Sequence, residues 1–144
     1  MGLAWFSVLI YAASTKDKIE AVASNEIVWH SLEDAVMLNK KNPKPILIDI
    51  YTDWCKWCHV MDEKTYQNPE VVRYVNDNFY AVKLNAEQKT SIQFKGQQYD
   101  YVAYSRRGVH GVVPALIGPK LSYPSTVMMD KNLNIIEVLK GYQD

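Results

Sequence analysis

Apolar runs broken by polar and turn-forming residues mark an alternation of strands and helices from about residue 27 onward. Ile27-Val28-Trp29 is a short β-prone run. Ser31 follows, then LEDAVMLNKK, in which Leu32, Ala35, Val36 and Leu38 approximate a helical stripe. Ser31 suits the N-cap, Asp34 the first turn, and Asn42-Pro43 the stop. Ile46 to Tyr51 reads ILIDIY, a β-branched apolar run that predicts a strand buried on both faces. A helix is expected from near Cys55 to about Tyr66. Asn68 and Pro69 then cap and restart a second helix, with Val71, Val72, Val75 and Phe79 on one face. Tyr80 to Leu84 predicts another strand. Strand, helix, strand, helix, strand in this order points to a βαβ unit with parallel pairing.

The pattern is less regular from 86 to 122. Ile92-Gln93-Phe94 and Gln97 to Tyr101 flank Lys95-Gly96 and predict a small hairpin. Val109 to Leu116 reads as a helix despite Gly111 and Pro114. Ser125 to Asp130 and Ile135 to Leu139 predict two strands joined by a turn at 131–134. There is no internal repeat and no low-complexity tract. The division expected is an apolar export-like or anchor-like segment plus linker at 1–24, then one domain at 25–144 with an extended segment at 86–122.

The N-terminal expectation rests on Leu3 to Ala13, LAWFSVLIYAA. The run is short of the roughly 20 residues that span a bilayer. It resembles the apolar core of a secretory signal, and Ala21-Val22-Ala23 offers a small-residue cleavage site. No Lys or Arg precedes it; an N-terminal element packed on the domain is the alternative. A periplasmic or membrane-anchored location is the expectation, with the cytoplasm as the other option.

With 144 residues, 48 % of them apolar and 22 % charged, the chain has the profile of one ordinary folded domain. Its formal net charge of zero gives no electrostatic reason to expect nucleic acid or an anionic membrane as partner. Two cysteines make neither a disulfide-rich scaffold nor, without help, a tetrahedral zinc site.

Those cysteines lie in Asp53-Trp54-Cys55-Lys56-Trp57-Cys58-His59, between a buried strand and a helix. A thiol at a helix N-terminus meets unpaired backbone N–H groups and the positive end of the dipole, both of which favour thiolate. The i, i+3 spacing puts the second sulfur on the same face, one turn inside. Cys55 is therefore expected to be the exposed, attacking thiol and Cys58 to resolve the mixed disulfide. His59, four residues after Cys55, and Lys56 are candidates for tuning the thiolate, against the plainer reading of solvated surface residues. Trp54 and Trp57 are candidates for an apolar substrate rim.

The segment Ile48 to Cys58 resembles the active-site segment of the thioredoxin-like family. That family holds a buried Asp six residues before the first cysteine and a Trp immediately before it; Asp49 and Trp54 match. Tyr51 replaces another usual Trp, and Lys56-Trp57 stands where Gly-Pro is common. Lys83 falls where the family has a Lys paired with the buried Asp. Tyr123-Pro124-Ser125-Thr126-Val127 resembles the cis-proline segment that faces the cysteines. The resemblance covers about residues 27–141 and is nearest to bacterial exported thioredoxin-like proteins with an extended segment before Tyr-Pro.

The resemblance implies an α/β fold with a central mixed sheet flanked by helices. The helix that normally closes the family's fold is missing after Tyr142. It also implies disulfide exchange with protein substrates, and catalytic roles for Cys55, Cys58, Asp49 and Lys83, with Asp49 relaying a proton for Cys58. Trp54, Trp57, Tyr123 and Pro124 then bind substrate. The expected working group is the Cys55–Cys58 disulfide itself, without metal or other cofactor. Expected partners are protein thiols and disulfides and a redox partner protein, with the chain a monomer. Three alternatives remain: a thioredoxin-like binding module with non-catalytic cysteines, the C-x-x-C-H of c-type haem attachment, and a zinc site using His59.

Overall fold

The computed structural model describes residues 24–144, so the apolar run Leu3 to Ala13 and the export or anchor segment expected at 1–24 lie, but for residue 24, outside the described residues. Nine strands and four helices follow among them. β1 (Trp29–His30) leads through Ser31, whose side chain accepts the Asp34 N–H, into α1 (Leu32–Lys41). β2 (Ile46–Tyr51) precedes α2 (Lys56–Lys64) and α3 (Pro69–Asn78), the latter capped by Asn68 with Pro69 at its first position. β3 (Tyr80–Asn85) follows. Then come the hairpins β4 (Ile92–Phe94) with β5 (Gln97–Tyr99) and β6 (Tyr101–Tyr104) with β7 (Arg107–His110). α4 (Val112–Ile117), β8 (Ser125–Met129) and β9 (Ile135–Lys140) complete the order.

The central sheet runs β1-β3-β2-β8-β9. β1, β3 and β2 are parallel, as the strand–helix alternation predicts, and β8 and β9 add antiparallel. Strand alternation sorts β2 to two cores. Ile46, Ile48 and Ile50 join Leu32 and Ala35 of α1 and Val112 and Leu116 of α4 on one face. Leu47 joins Met61, Val72 and Val75 on the other, beneath α2 and α3. Asp49 shares the Leu47 side, so it opens toward α2.

The extended segment differs from expectation. The predicted helix from Val109 begins only at Val112, and Val109 and His110 instead finish β7. Gly111 separates strand from helix. The fully buried His110 ring fixes the junction: Nδ1 accepts the Val112 N–H at 3.3 Å, and Nε2 lies 3.0 Å from the Thr90 carbonyl. Pro114 falls within the first turn of α4, where its missing N–H has no helical partner to lose. The hairpin β6–β7 went unrecognised because its strands carry exposed polar positions and its turn lacks the usual Asn-Gly signal. Beyond β9, residues 141–144 form no helix. They fold back on the α2–α3 side, where Thr65 Oγ1 donates to the Gln143 carbonyl at 2.6 Å and Tyr142 packs on the second core.

Gly108 is the tightest point of the β6–β7 hairpin: a Cβ there would collide with the Val102 carbonyl oxygen and the Tyr101 ring. Gly108→Ala is expected to cost about 1–3 kcal/mol. Thermal unfolding of the variant beside the parent measures that loss, and amide exchange should show it concentrated at 101–110.

Candidate active site

Cys55 is the N-cap of α2 rather than its first residue. Its Sγ accepts the backbone N–H of Cys58 at 3.1 Å, the contact that a capping oxygen makes in an ordinary helix start. The two sulfurs are joined in a disulfide across a Cα–Cα distance of 5.3 Å. Both residues are largely covered in this state, Cys55 at 6 % exposure and Cys58 at 2 %. An orphan N–H of the helix start, that of Cys58, thus points at the Cys55 sulfur, where it stabilises negative charge once the disulfide opens.

Behind them lies a group of three charges. Lys83 Nζ contacts Asp49 Oδ2 at 2.5 Å and is also bonded to Asp62 Oδ1. The register sets the first contact, because Asp49 of β2 pairs directly with Lys83 of β3. The second comes from α2, where Asp62 lies four residues beyond Cys58 and so on the same helix face. Rings of Trp29, Tyr51 and Tyr66 surround the ammonium at 4.9, 5.0 and 5.3 Å, within cation–π range. Burial pulls the Lys83 pKa down, but the two carboxylates outweigh it and leave it raised. Burial lifts the Asp49 carboxyl above its ordinary value, further than Lys83 lowers it. Asp49 Oδ1 has no hydrogen-bond partner. A buried carboxyl with one free oxygen, inclined to hold a proton, is suited to proton transfer. Sequence reasoning missed Asp62, although its helical spacing from Cys58 was a usable signal.

The other wall begins with Pro124. Its peptide bond to Tyr123 is cis, as the resemblance implies. Asp49 pairs with Thr126 and Ile50 with Ser125, so one step further sets Pro124 level with Tyr51, at the end of β2 from which the cysteine loop leaves. The Tyr123 ring meets Trp54 edge to face at 6.0 Å. Trp54 donates from Nε1 to Glu87 at 2.6 Å and carries the Arg107 guanidinium over its ring at 4.5 Å. Glu87 and Arg107 belong to the extended segment and had no motif to announce them.

Not every candidate converges. Trp57 is exposed, but its ring lies against Tyr142 at 5.5 Å, away from the Trp54–Tyr123 pair, so the two tryptophans do not form one rim. The His59 Nε2–H donates to the Asp53 carbonyl at 2.8 Å, which ties the loop to the helix. Lys56 is exposed and, among the described residues, forms no ion pair.

A mixed sheet with helices on both faces, a C-x-x-C pair at a helix start and a cis-proline beside it define a thioredoxin fold. Solved structures agree. A "DsbH Oxidoreductase" aligns over 84 % of this chain and 80 % of that one with a TM-score of 0.58 and 20 % identity. A thioredoxin from Thermus thermophilus aligns over 82 % and 78 % with a TM-score of 0.58 and 14 % identity. The chain belongs to the family described as Thioredox_DsbH, "Protein of unknown function, DUF255", whose model matches residues 11–113. Spermatogenesis-associated protein 20 of Mus musculus is 34 % identical over 71 residues, which are 49 % of this chain and 9 % of that protein. Disulfide bond reductase DsbH of Chlamydia pneumoniae is 29 % identical over 69 residues, 47 % of this chain and 42 % of that one. The chain therefore spans less than half the length of either curated relative. Relatives in animals show that the likeness extends beyond the bacterial exported proteins that the sequence resembles.

Asp49→Asn is expected to stabilise the fold, because Lys83 keeps Asp62 and the buried site loses a poorly satisfied charge; the gain should be about 1 kcal/mol at pH 8. Since the Asp49 pKa is raised in the fold, its contribution favours folding below the ordinary carboxylate range and is lost as pH rises through the folded value. The advantage of the variant should therefore widen from pH 4 to pH 8, which denaturant unfolding at several pH values measures.

Proposed function

We propose that this protein is a thiol–disulfide oxidoreductase acting on polypeptide substrates through Cys55 and Cys58. The observation that carries the reading is the Cys55 sulfur capping α2 and accepting the Cys58 N–H, with a buried Asp49, its carboxyl pushed above the ordinary range by burial, on the side of the sheet that faces the helix.

In the reducing direction the Cys55 thiolate attacks a substrate disulfide. A bond forms between Cys55 and one substrate sulfur, and the other leaves as a thiolate that takes a proton from water. Asp49 removes the Cys58 proton. The Cys58 thiolate then attacks Cys55, closing the Cys55–Cys58 disulfide and releasing the second substrate thiolate. Two electrons pass from the protein to the substrate, and a redox partner protein of the thiol–disulfide class restores the dithiol. The reverse sequence oxidises a substrate dithiol. The Tyr123 backbone lies just before the β8 ladder, which starts at Ser125; an extended substrate segment can pair with it. The protein works as a monomer in this scheme. The apolar run Leu3 to Ala13 supports a place outside the cytoplasm, at or beyond a membrane.

The scheme assigns different steps to different residues. In the reduced protein, limiting alkylation should label Cys55 before Cys58, and Cys58→Ser should accumulate mixed disulfides with substrate. Preferential labelling of Cys58 would reverse the assignment. Asp49→Asn should slow resolution of the mixed disulfide about 10- to 100-fold near pH 7, the scale of a lost general base, and change the first attack much less. Rapid-quench separation of the two steps across pH decides between this relay and a purely structural carboxylate.

A further inference from the structure

The exchange site is lopsided. On the Trp57 side the Trp57 ring packs on Tyr142 at 5.5 Å. On the Trp54 side lies an open groove of about 430 Å³. Its walls are Trp54, Tyr104, Val109, Pro114, Leu121 and Tyr123. Trp54, Tyr104 and Leu121 are exposed by 52, 63 and 40 %, so three large apolar side chains share one uncovered concavity. The hairpin β6–β7 provides its outer wall through Tyr104, Arg107, Gly108 and Val109.

Two opposite charges flank the tryptophan: Arg107 lies over the Trp54 face and Glu87 accepts the Trp54 N–H. The exposed lining around them is largely apolar. The groove is also continuous with the chemistry: Trp54 is bonded to Cys55 and Tyr123 to Pro124. An extended chain advances about 3.3 Å per residue, so a guest here sits within about three residues of a cysteine attacked by Cys55.

We propose that the β6–β7 hairpin is the recognition arm of the exchange site, and that the groove it walls receives a bulky apolar side chain, aromatic above all, within about three residues of the substrate's reacting cysteine. This rests on the oxidoreductase reading. It makes the extended segment the determinant of which disulfides are chosen, while the cysteine loop supplies the reactivity. The volume suits one large side chain with its flanking backbone.

The test uses two disulfide-linked peptides that differ only two residues from the cysteine, one carrying Phe and one Gly. The reduced protein should act on the Phe peptide at least tenfold faster by kcat/KM. In a Tyr104→Ser, Leu121→Ser double variant that ratio should fall to about two or less. Leu121→Ser alone, outside the hairpin, serves if the double variant is unfolded. A second readout needs no chemistry: the same peptides with Ser for Cys are titrated into the disulfide form and followed by amide NMR. The Phe peptide should shift Val109 and Leu121, and the Gly peptide should not. Equal rates with no shifts overturn the groove assignment. So does a Phe preference that survives in the variants. Selective shifts without exchange on either peptide overturn the oxidoreductase reading and leave the groove as an apolar peptide site.

Discussion

The position of Lys83 between Asp49 and Asp62 ties the helix that carries the cysteines to two strands already joined by their backbone ladder. Lys83 is on β3, Asp49 on β2 and Asp62 on α2, so one ammonium ties the two central parallel strands to the helix that carries the cysteines. The exposures grade outward, with Asp49 side chain at 2 %, Lys83 at 21 % and Asp62 at 36 %. The innermost member is therefore the poorly solvated one, and the outermost can exchange protons with water. A lone buried carboxylate in this strand would be costly. A carboxylate that shares its cation with a second, wetter carboxylate can gain or lose its proton without stranding the lysine. Three aromatic rings around the ammonium keep the tie local and hold it on the α2 face.

That tie explains how much of the site was legible in the sequence. Asp49 stood out because a charged residue inside ILIDIY has no structural excuse, and Lys83 followed from the resemblance. Cys55, Cys58, Trp54 and Pro124 belong to segments whose local pattern and chemistry coincide. Asp62 was hidden because an acidic residue on an exposed helix turn is the commonest thing a helix carries; only its phase relative to Cys58 distinguishes it. His59 is open in the sequence between tuning the thiolate and lying on the surface. Helical spacing permitted a contact with the Cys55 sulfur, but the imidazole finds the Asp53 carbonyl, a nearer acceptor created by the turn of the loop.

The sheet itself was readable because buried parallel strands announce themselves by continuous apolar runs. In the 86–122 segment the β4–β5 hairpin was readable from Lys95-Gly96, but β6 and β7 were not, for a physical reason. Those strands are four residues long, pair only with each other and carry exposed positions, so neither alternation nor run length rises above the background. His110 compounded the misreading: within Val109 to Leu116 it passes for an interior helical residue, whereas its ring is the bolt between strand and helix. The consequence reaches the site, since Arg107 and Tyr104 arrive beside Trp54 only through that hairpin.

The ends of this segment close on themselves. Ala86 donates its N–H to the Tyr51 carbonyl at 2.8 Å, and His110 donates its own to the Ala86 carbonyl at 2.7 Å. Departure and return thus share one residue, at the edge of the cysteine loop. A chain excursion whose two feet touch puts little strain on the scaffold whatever its length, because further residues add only slowly to the entropy of closing it. The β6–β7 arm within it is therefore a replaceable part: rewriting residues 102–107 alters what can approach the sulfurs without asking β2, β3 or α2 to move, while Ile92, Phe94 and Val109 stay in the first core. Diversity of clients and constancy of chemistry can be inherited separately in such a protein, divided at a single alanine.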